Sequence, residues 1–160
     1  MRREQARTSG AVPDERARAS RLKSAVARER FVRGRVFVRE VLARMVGGRP
    51  ELLMLVFGEH GKPRLAPPHD DLHFNISHSE NLLVLAVSRD AEVGVDVEVV
   101  RGDFDFMAIA RENFSASEIH RVEAASAHAQ RDVFLELWTR REAAAKRSEE
   151  HTSELQSPYV

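Results

Sequence analysis

The chain has 160 residues and a net charge of zero, with 42% apolar residues and no cysteine. This composition suits a globular protein large enough for one domain or two small lobes. It excludes disulfide bonds and cysteine-based zinc sites. No apolar run approaches the roughly 20 residues that span a bilayer, and the N-terminus lacks the apolar stretch of a secretory signal. We therefore expect a cytoplasmic protein without a membrane partner.

The charge is unevenly distributed along the chain. Residues 1–49 contain 14 Lys/Arg and 5 Asp/Glu, a net charge of +9, and the remainder contains 11 and 20, a net charge of −9. A solvated basic helix would explain this pattern, and so would a basic surface for a phosphorylated ligand or an acidic protein. No nucleic-acid motif or aromatic interleaving accompanies the basic residues, so we expect no nucleic-acid partner.

The N-terminal part of the sequence predicts one long helix. Residues 1–17 are polar and are predicted to be poorly ordered. Apolar residues between positions 22 and 45 recur near helical spacing, which predicts an amphipathic helix. The Gly-Gly-Arg-Pro sequence at 47–50 predicts its end.

Short strands are predicted next. Apolar runs of strand length occupy residues 52–57, 73–77 and 82–87. Glycines and prolines between positions 58 and 68 predict a long turn-rich loop after the first of these strands.

Residues 93–100 have the two-residue period of a strand with one buried face. Asp96 and Glu98 lie two apart in this run, so both side chains leave the same face, with Cα atoms about 6.5–7 Å apart. Two such carboxylates repel each other unless a cation lies between them, and hard oxygen ligands suit Mg²⁺ with substrate phosphates. An ordinary solvated strand face explains the same spacing.

Helices are predicted to follow at 106–112, after Ser115, and at 131–146. In the last helix Phe134 and Trp138 recur at the i,i+4 spacing of a buried face. The order of helix, strands and helices predicts an α+β domain.

Two further helical pairs have a plain explanation and a functional one. Glu142 and Lys146 share one helical stripe, as an exposed ion pair would. Ser115 and Glu118 form the S-x-x-E pattern of a capping box, which is favoured over a general base at Glu118. A serine hydrolase at Ser77 and His78 is disfavoured, because adjacent residues on an extended chain point apart and no G-x-S-x-G motif is present.

Five short motifs occur in a fixed order: GKPRL (61–65), HFNISHS (73–79), VGVDVE (93–98), FSASE (114–118) and WTRREAAAK (138–146). Together with an R-x-x-x-G-x-x-x-x-R segment at 30–39, they resemble the Sfp-type 4′-phosphopantetheinyl transferases. The resemblance implies a fold of two α+β lobes related by a pseudo-twofold axis, with the second lobe incomplete in this chain.

The resemblance also implies an activity: transfer of 4′-phosphopantetheine from coenzyme A to a serine of an apo acyl or peptidyl carrier protein, with release of 3′,5′-ADP. The implied metal is Mg²⁺, with Mn²⁺ as an alternative, and its implied ligands are Asp96, Glu98 and Glu142. The implied catalytic residues are Glu118, which helps to deprotonate the serine, and Lys146. The implied coenzyme-binding residues are Arg30, Lys62, Pro63, Ser77, His78, Arg141 and Lys146.

This resemblance suggests a division into residues 1–17, a first lobe at 18–92, a partial second lobe at 93–146 and a tail at 147–160. The tail differs in composition from the preceding sequence, and we expect it to be artefactual. Arg141 stands where the family has lysine, and the two are not interchangeable at a phosphate site. We expect a monomer with weak or no activity. A coenzyme A- or nucleotide-binding module without catalysis is the alternative.

Overall fold

The structure is a computed structural model that describes residues 13–58, 61–99 and 104–148. The chain divides into two compact units, the first ending at His73 and the second beginning at Phe74. The sequence placed the lobe boundary later, between residues 92 and 93. The strands at 73–79 and 82–88 therefore group mainly with the C-terminal residues, and contacts described below explain why.

The described part of the first unit starts with two helices, α1 (Pro13–Ser20) and α2 (Ala25–Val46). The helix α2 confirms the long helix predicted from the apolar spacing. It begins at Ser24, whose side chain accepts a hydrogen bond from the Ala27 N–H, and it ends at Gly47 with φ 69°. Glycine adopts this left-handed conformation without steric cost. Residues 13–17 were expected to be poorly ordered but belong to α1, and residues 1–12 lie outside the described part.

A small antiparallel sheet follows α2. Its strands are β1 (Leu55–Phe57) and β2 (Pro63–Leu65), with Leu55 opposite Leu65. The strand predicted from residue 52 is shorter, because Pro50–Leu52 forms a 3₁₀ turn. The loop prediction for β2 was wrong. Proline is tolerated as the first residue of a strand, so Pro63 does not prevent pairing.

A buried ion pair joins the elements of the first unit. Arg39 Nε lies 3.0 Å from Glu15 Oε2, with side chains 3% and 9% exposed. The guanidinium also donates to the carbonyl oxygens of Pro50 at 3.0 Å and Leu53 at 2.8 Å. Arg39 thereby connects α2 with α1 and with the start of the sheet, so this basic residue has a structural role.

The second unit begins with a hairpin of β3 (His73–Ser79) and β4 (Leu82–Ser88), connected through Glu80 and Asn81. Both strands were predicted from the sequence. Three helices follow, and all were predicted: α3 (Phe106–Asn113), α4 (Ala116–Glu123) and α5 (Gln130–Ser148). Of the predicted tail, Arg147 and Ser148 belong to α5, and residues 149–160 lie outside the described part. The mixed helix and strand content confirms the α+β prediction.

The core of the second unit is aromatic. Phe134 on α5 is fully buried, and its ring centroid lies 5.3 Å from that of Phe114 and 5.9 Å from that of Trp138, with which it stacks. This packing fixes one face of α5 against α3 and α4. Within the described ranges, no helix is both long and apolar enough to cross a membrane.

Candidate active site

Residues 92–99, here called the extended segment, lie alongside β3. Alternate backbone N–H groups of the segment donate to alternate polar side chains of β3. The bonds run from Val95 N to Asn75 Oδ1 (3.0 Å), from Val97 N to Ser77 Oγ (3.2 Å) and from Val99 N to Ser79 Oγ (3.0 Å). Both partners advance in steps of two residues, as extended chains do.

The strand predicted at 93–100 is extended over its described residues but joins no sheet there. Within the described residues, no backbone–backbone bond places the extended segment in a sheet. Its backbone donors need acceptors when they are buried, and side chains of β3 supply them. The extended conformation itself is as predicted, and residue 100 lies outside the described part.

Gly94 brings the extended segment into contact with α5. A Cβ atom at this position would lie 1.8 Å from the carbonyl oxygen of Ala143 and 2.7 Å from the backbone nitrogen of Arg147. Only a residue without a side chain allows this close approach. The extended segment is therefore held between β3 and the last turns of α5.

Asp96 meets Lys146 at this contact. Asp96 Oδ1 accepts hydrogen bonds from Lys146 Nζ and from Ser77 Oγ, the latter at 2.9 Å. The Asp96 side chain is 3% exposed and that of Lys146 is 19% exposed. The second carboxylate oxygen, Oδ2, is buried and has no hydrogen-bond partner among the described residues. A buried anionic oxygen in this state is costly unless a cation or donor satisfies it.

The Ser77 hydroxyl is fully engaged within the protein. It donates to Asp96, and it accepts from the Val97 N–H at 3.2 Å and from Lys146 Nζ at 3.2 Å. A hydroxyl has one proton and two lone pairs, so its bonding capacity is used. Ser77 is buried whereas His78 is exposed, as expected for neighbours on a strand. This geometry argues against a serine hydrolase at Ser77 and His78.

Glu142 lies on the same α5 stripe as Lys146 and is 6% exposed. Burial raises the pKa of its carboxyl, and the negative charges of Asp96 and Glu98 raise it further, against an opposing effect of Lys146. Glu98 Oε2 also lies 3.4 Å from Ser79 Oγ. Asp96 and Glu98 therefore lie near enough to Glu142 to raise its pKa; we call Asp96, Glu98 and Glu142 the carboxylate site.

The carboxylate site fits a hard divalent cation in its chemistry. Its donors are carboxylate oxygens, which Mg²⁺ prefers, and Asp96 Oδ2 is buried without a partner. Across residues 13–58, 61–99 and 104–148, no three His, Cys, Asp or Glu side chains are already arranged as a metal-ligand cluster. In the structure Asp96 is instead paired with Lys146.

Glu118 forms the predicted capping box. The Ser115 N–H donates to Glu118 Oε2 at 2.8 Å, and Ser115 Oγ accepts from the Glu118 N–H at 3.4 Å. The hydrogen bond from the Ser115 hydroxyl is the main cause that lowers the pKa of Glu118, and Arg141 lowers it further. Glu118 is therefore an ionised carboxylate at neutral pH.

Arg141 contacts Glu118 and Phe114. Its Nη1 lies 3.3 Å from Glu118 Oε2, and its guanidinium lies over the Phe114 ring, 5.7 Å from the centroid. Neighbouring helix residues point about 100° apart, so Arg141 and Glu142 serve different faces of α5. The structure places Arg141 with Glu118, and its predicted role as a phosphate ligand stays a prediction.

The other predicted coenzyme ligands belong to the first unit. Arg30 is exposed on α2, Lys62 is buried just before β2, and Pro63 begins β2. Their roles stay predictions and are taken up below.

Similarity to known proteins shows which family the chain belongs to. A model of the 4′-phosphopantetheinyl transferase superfamily matches residues 92–158. The 4′-phosphopantetheinyl transferase AcpT of Salmonella typhi is 34% identical over 139 residues, which cover 87% of this chain and 67% of that protein. The chain belongs to the 4′-phosphopantetheinyl transferase family. The superfamily match includes the whole carboxylate site and Lys146.

Other members of the transferase family are similarly related. The 4′-phosphopantetheinyl transferase psf-1 of Bacillus pumilus is 34% identical over 83% of this chain and 55% of its own length. A putative 4′-phosphopantetheinyl transferase of Synechocystis is 29% identical over 83% of this chain and 54% of its own length. The chain thus spans little more than half the length of these two relatives.

Three residues that support the carboxylate site were missed from the sequence. Asn75 and Ser79 hold the extended segment, and Gly94 lets α5 approach it. A signal for the first two was present: with Ser77 they form a period-two polar series within an otherwise strand-like sequence. For Gly94, the signal was a glycine inside a strand pattern, which often marks close backbone approach.

Replacing Glu142 with glutamine is expected to stabilise the metal-free protein at pH 7. A carboxyl whose pKa is raised by folding contributes most stability below its unfolded pKa, and that contribution is lost as the pH rises through the folded pKa. The advantage of Glu142→Gln in urea unfolding should therefore be largest near neutral pH and shrink towards pH 4.5. Glu123→Gln, an exposed change on α4, should show no such trend. Lower stability of Glu142→Gln at pH 7 would refute this reading of the carboxylate site.

Proposed function

We propose that this protein transfers the 4′-phosphopantetheine group of coenzyme A to a serine of an apo acyl or peptidyl carrier protein, with Mg²⁺ and release of 3′,5′-ADP. The observation that supports this best is the meeting of Asp96, Glu142 and Lys146 from the extended segment and α5. These residues were assigned to metal and phosphate binding from the family motifs alone.

In this proposal the carboxylate site holds the cation. Asp96 Oδ2, with Glu98 and Glu142, supplies anionic oxygens, and Mn²⁺ could replace Mg²⁺ because both accept such ligands. A bound cation would neutralise charge on the pyrophosphate of coenzyme A. Lys146, with its ammonium group at Asp96, would supply a further positive charge to the phosphates.

The chemistry requires alignment and charge neutralisation more than covalent participation by the protein. The carrier serine oxygen forms a bond to the β-phosphorus, and the bond from that phosphorus to the oxygen of 3′,5′-ADP breaks. Glu118 is ionised and can accept the serine proton, directly or through water. Its bonds to Ser115 and Arg141 would fix its direction, although its lowered pKa makes it a weak base.

Coenzyme recognition is proposed from the family motifs. Arg30 and His78 would bind the 3′-phosphate, and both side chains are exposed. Lys62, Pro63 and Ser77 would line the nucleotide pocket. Arg141 would contribute charge near the phosphates only by leaving Glu118. Basic residues of the first 49 positions would also attract an acidic carrier protein.

Mass spectrometry of a carrier protein tests the proposed transfer. An apo carrier incubated with this chain, coenzyme A and Mg²⁺ is expected to gain the mass of one phosphopantetheine group, and a chelator should prevent the gain. Because the chain spans only part of the length of its relatives, the reaction is best followed for hours with the chain in excess. Thermal protection by coenzyme A without any gain in mass would contradict transfer and favour the binding-module alternative.

A further inference from the structure

The ion pair between Lys146 and Asp96 bears on metal binding at the carboxylate site. The lysine ammonium group contacts Asp96 Oδ1 and lies 3.2 Å from Ser77 Oγ. We propose that Lys146 is a resident counter-cation of the carboxylate site, which a divalent cation has to displace and which substrate phosphates draw away. The inference rests on the proposed function and adds a coupling between metal and coenzyme A binding.

The charges of the site explain why the exchange would occur. Lys146 pairs with Asp96, and the negative charges of Asp96 and Glu98 still raise the pKa of Glu142 with Lys146 in place. Asp96 Oδ2 remains buried without a partner in the described structure. The site therefore still attracts a cation of higher charge. Lys146 and a dication on one carboxylate would repel each other at short range, because the surroundings are largely shielded from water.

The geometry of Lys146 makes its departure feasible. Its side chain is 19% exposed whereas that of Asp96 is 3% exposed, so the lysine is the more accessible partner of the pair. A lysine is a compact charge on a flexible four-carbon stem. Phosphate oxygens arriving with coenzyme A would offer the ammonium group a new anionic partner, and Asp96 Oδ1 would then be released.

Two ligands that act on one shared residue must influence each other equally. Coenzyme A should therefore strengthen cation binding in the wild-type chain, because it removes Lys146 from Asp96. Without the lysine charge, the cation should bind tightly from the start and gain less from coenzyme A than in the wild type, because only the direct attraction between cation and phosphates remains. This difference separates a counter-cation from a lysine that only contacts phosphate or only stabilises the fold.

Electron paramagnetic resonance of free Mn²⁺ measures this coupling directly. The wild type, Lys146→Met, Lys146→Gln and the charge-keeping Lys146→Arg are titrated with Mn²⁺, alone and with coenzyme A. Both neutral variants are expected to bind Mn²⁺ alone about tenfold more tightly than the wild type, within the usual range of coupling. Lys146→Arg should stay near the wild type, as should Lys23→Met at an exposed position on the first unit.

Each outcome decides a separate question. If the wild type binds Mn²⁺ and both neutral variants bind it no more tightly, the counter-cation inference is overturned while the proposed metal site stands. If no form binds Mn²⁺, with or without coenzyme A, the proposed metal site fails and the inference falls with it. Thermal unfolding of each variant verifies folding, and either neutral variant that folds is sufficient for the test.

Discussion

Alanine at position 94 is expected to destabilise the second unit by at least about 3 kcal/mol, at or above the upper end of the usual overpacking cost. The added Cβ would lie 1.8 Å from the Ala143 carbonyl oxygen. Neither group can rotate away, because a main-chain carbonyl in α5 is fixed by the helix. The extended segment and α5 would have to separate, and that movement would also separate Asp96 from Lys146. Urea unfolding of Gly94→Ala measures the loss.

A matched control exists at Gly48. A Cβ there would meet only side-chain atoms, Val46 Cγ2 at 3.3 Å and Leu53 Cδ2 at 3.9 Å. Those atoms can move by a few tenths of an ångström, so Gly48→Ala is expected to change stability by less than about 1 kcal/mol. Equal stability of Gly94→Ala and the wild type would show that the extended segment does not pack on α5 as described.

The second large effect concerns activity. Asp96→Asn keeps the shape of the side chain but removes the charge that a cation requires and that pairs with Lys146. Transfer to the carrier protein is expected to fall by at least about a thousandfold, as when a preorganised electrostatic contact is lost. The measurement is the rate of carrier modification by mass spectrometry.

Asp90→Asn provides the control for this experiment. Asp90 is an exposed acidic residue in the turn after β4, and its neutralisation changes the net charge of the chain equally. Asp90→Asn should leave the rate of transfer within a factor of about two of the wild-type rate, since exposed surface charges contribute little. An Asp96→Asn variant that is as active as Asp90→Asn would exclude Asp96 from the cation site.

Much of the fold was predictable because its signals are local. The helix α2 shows apolar spacing and a Gly-Gly stop, and α4 begins with a capping box that the structure confirms. The capping box of Ser115 and Glu118 was predicted from the four residues 115–118 alone. Local signals failed at β2, where glycines and prolines suggested a loop although Pro63 begins a strand.

The sequence indicated which residues belong to the candidate site, but it did not indicate the contacts that hold them in place. The spacing of Asp96 and Glu98 indicated one shared face, and Glu142 and Lys146 indicated one helical stripe. The support of the extended segment by Asn75 and Ser79 depends on contacts twenty residues apart in the chain. The pairing of Lys146 with Asp96 spans fifty residues. Such distant contacts leave no periodic pattern in a single sequence.

A capping role and a catalytic role of Glu118 are compatible. The carboxylate caps α4 and also binds Arg141 through the same Oε2 oxygen. One carboxylate can accept several hydrogen bonds, so capping does not prevent it from also facing a substrate hydroxyl. Stability measurements on Glu118 alone would therefore report the cap, and only transfer rates would report a catalytic contribution.

The proposed function requires that the extended segment and α5 form one site for a divalent cation and the phosphates of coenzyme A. Calorimetric titration of the chain with coenzyme A, in the presence of Mg²⁺ or of a chelator, tests it most directly. We expect one coenzyme A per chain, bound at least about tenfold more tightly with Mg²⁺. Equal affinity under both conditions, or no binding under either, would contradict the claim.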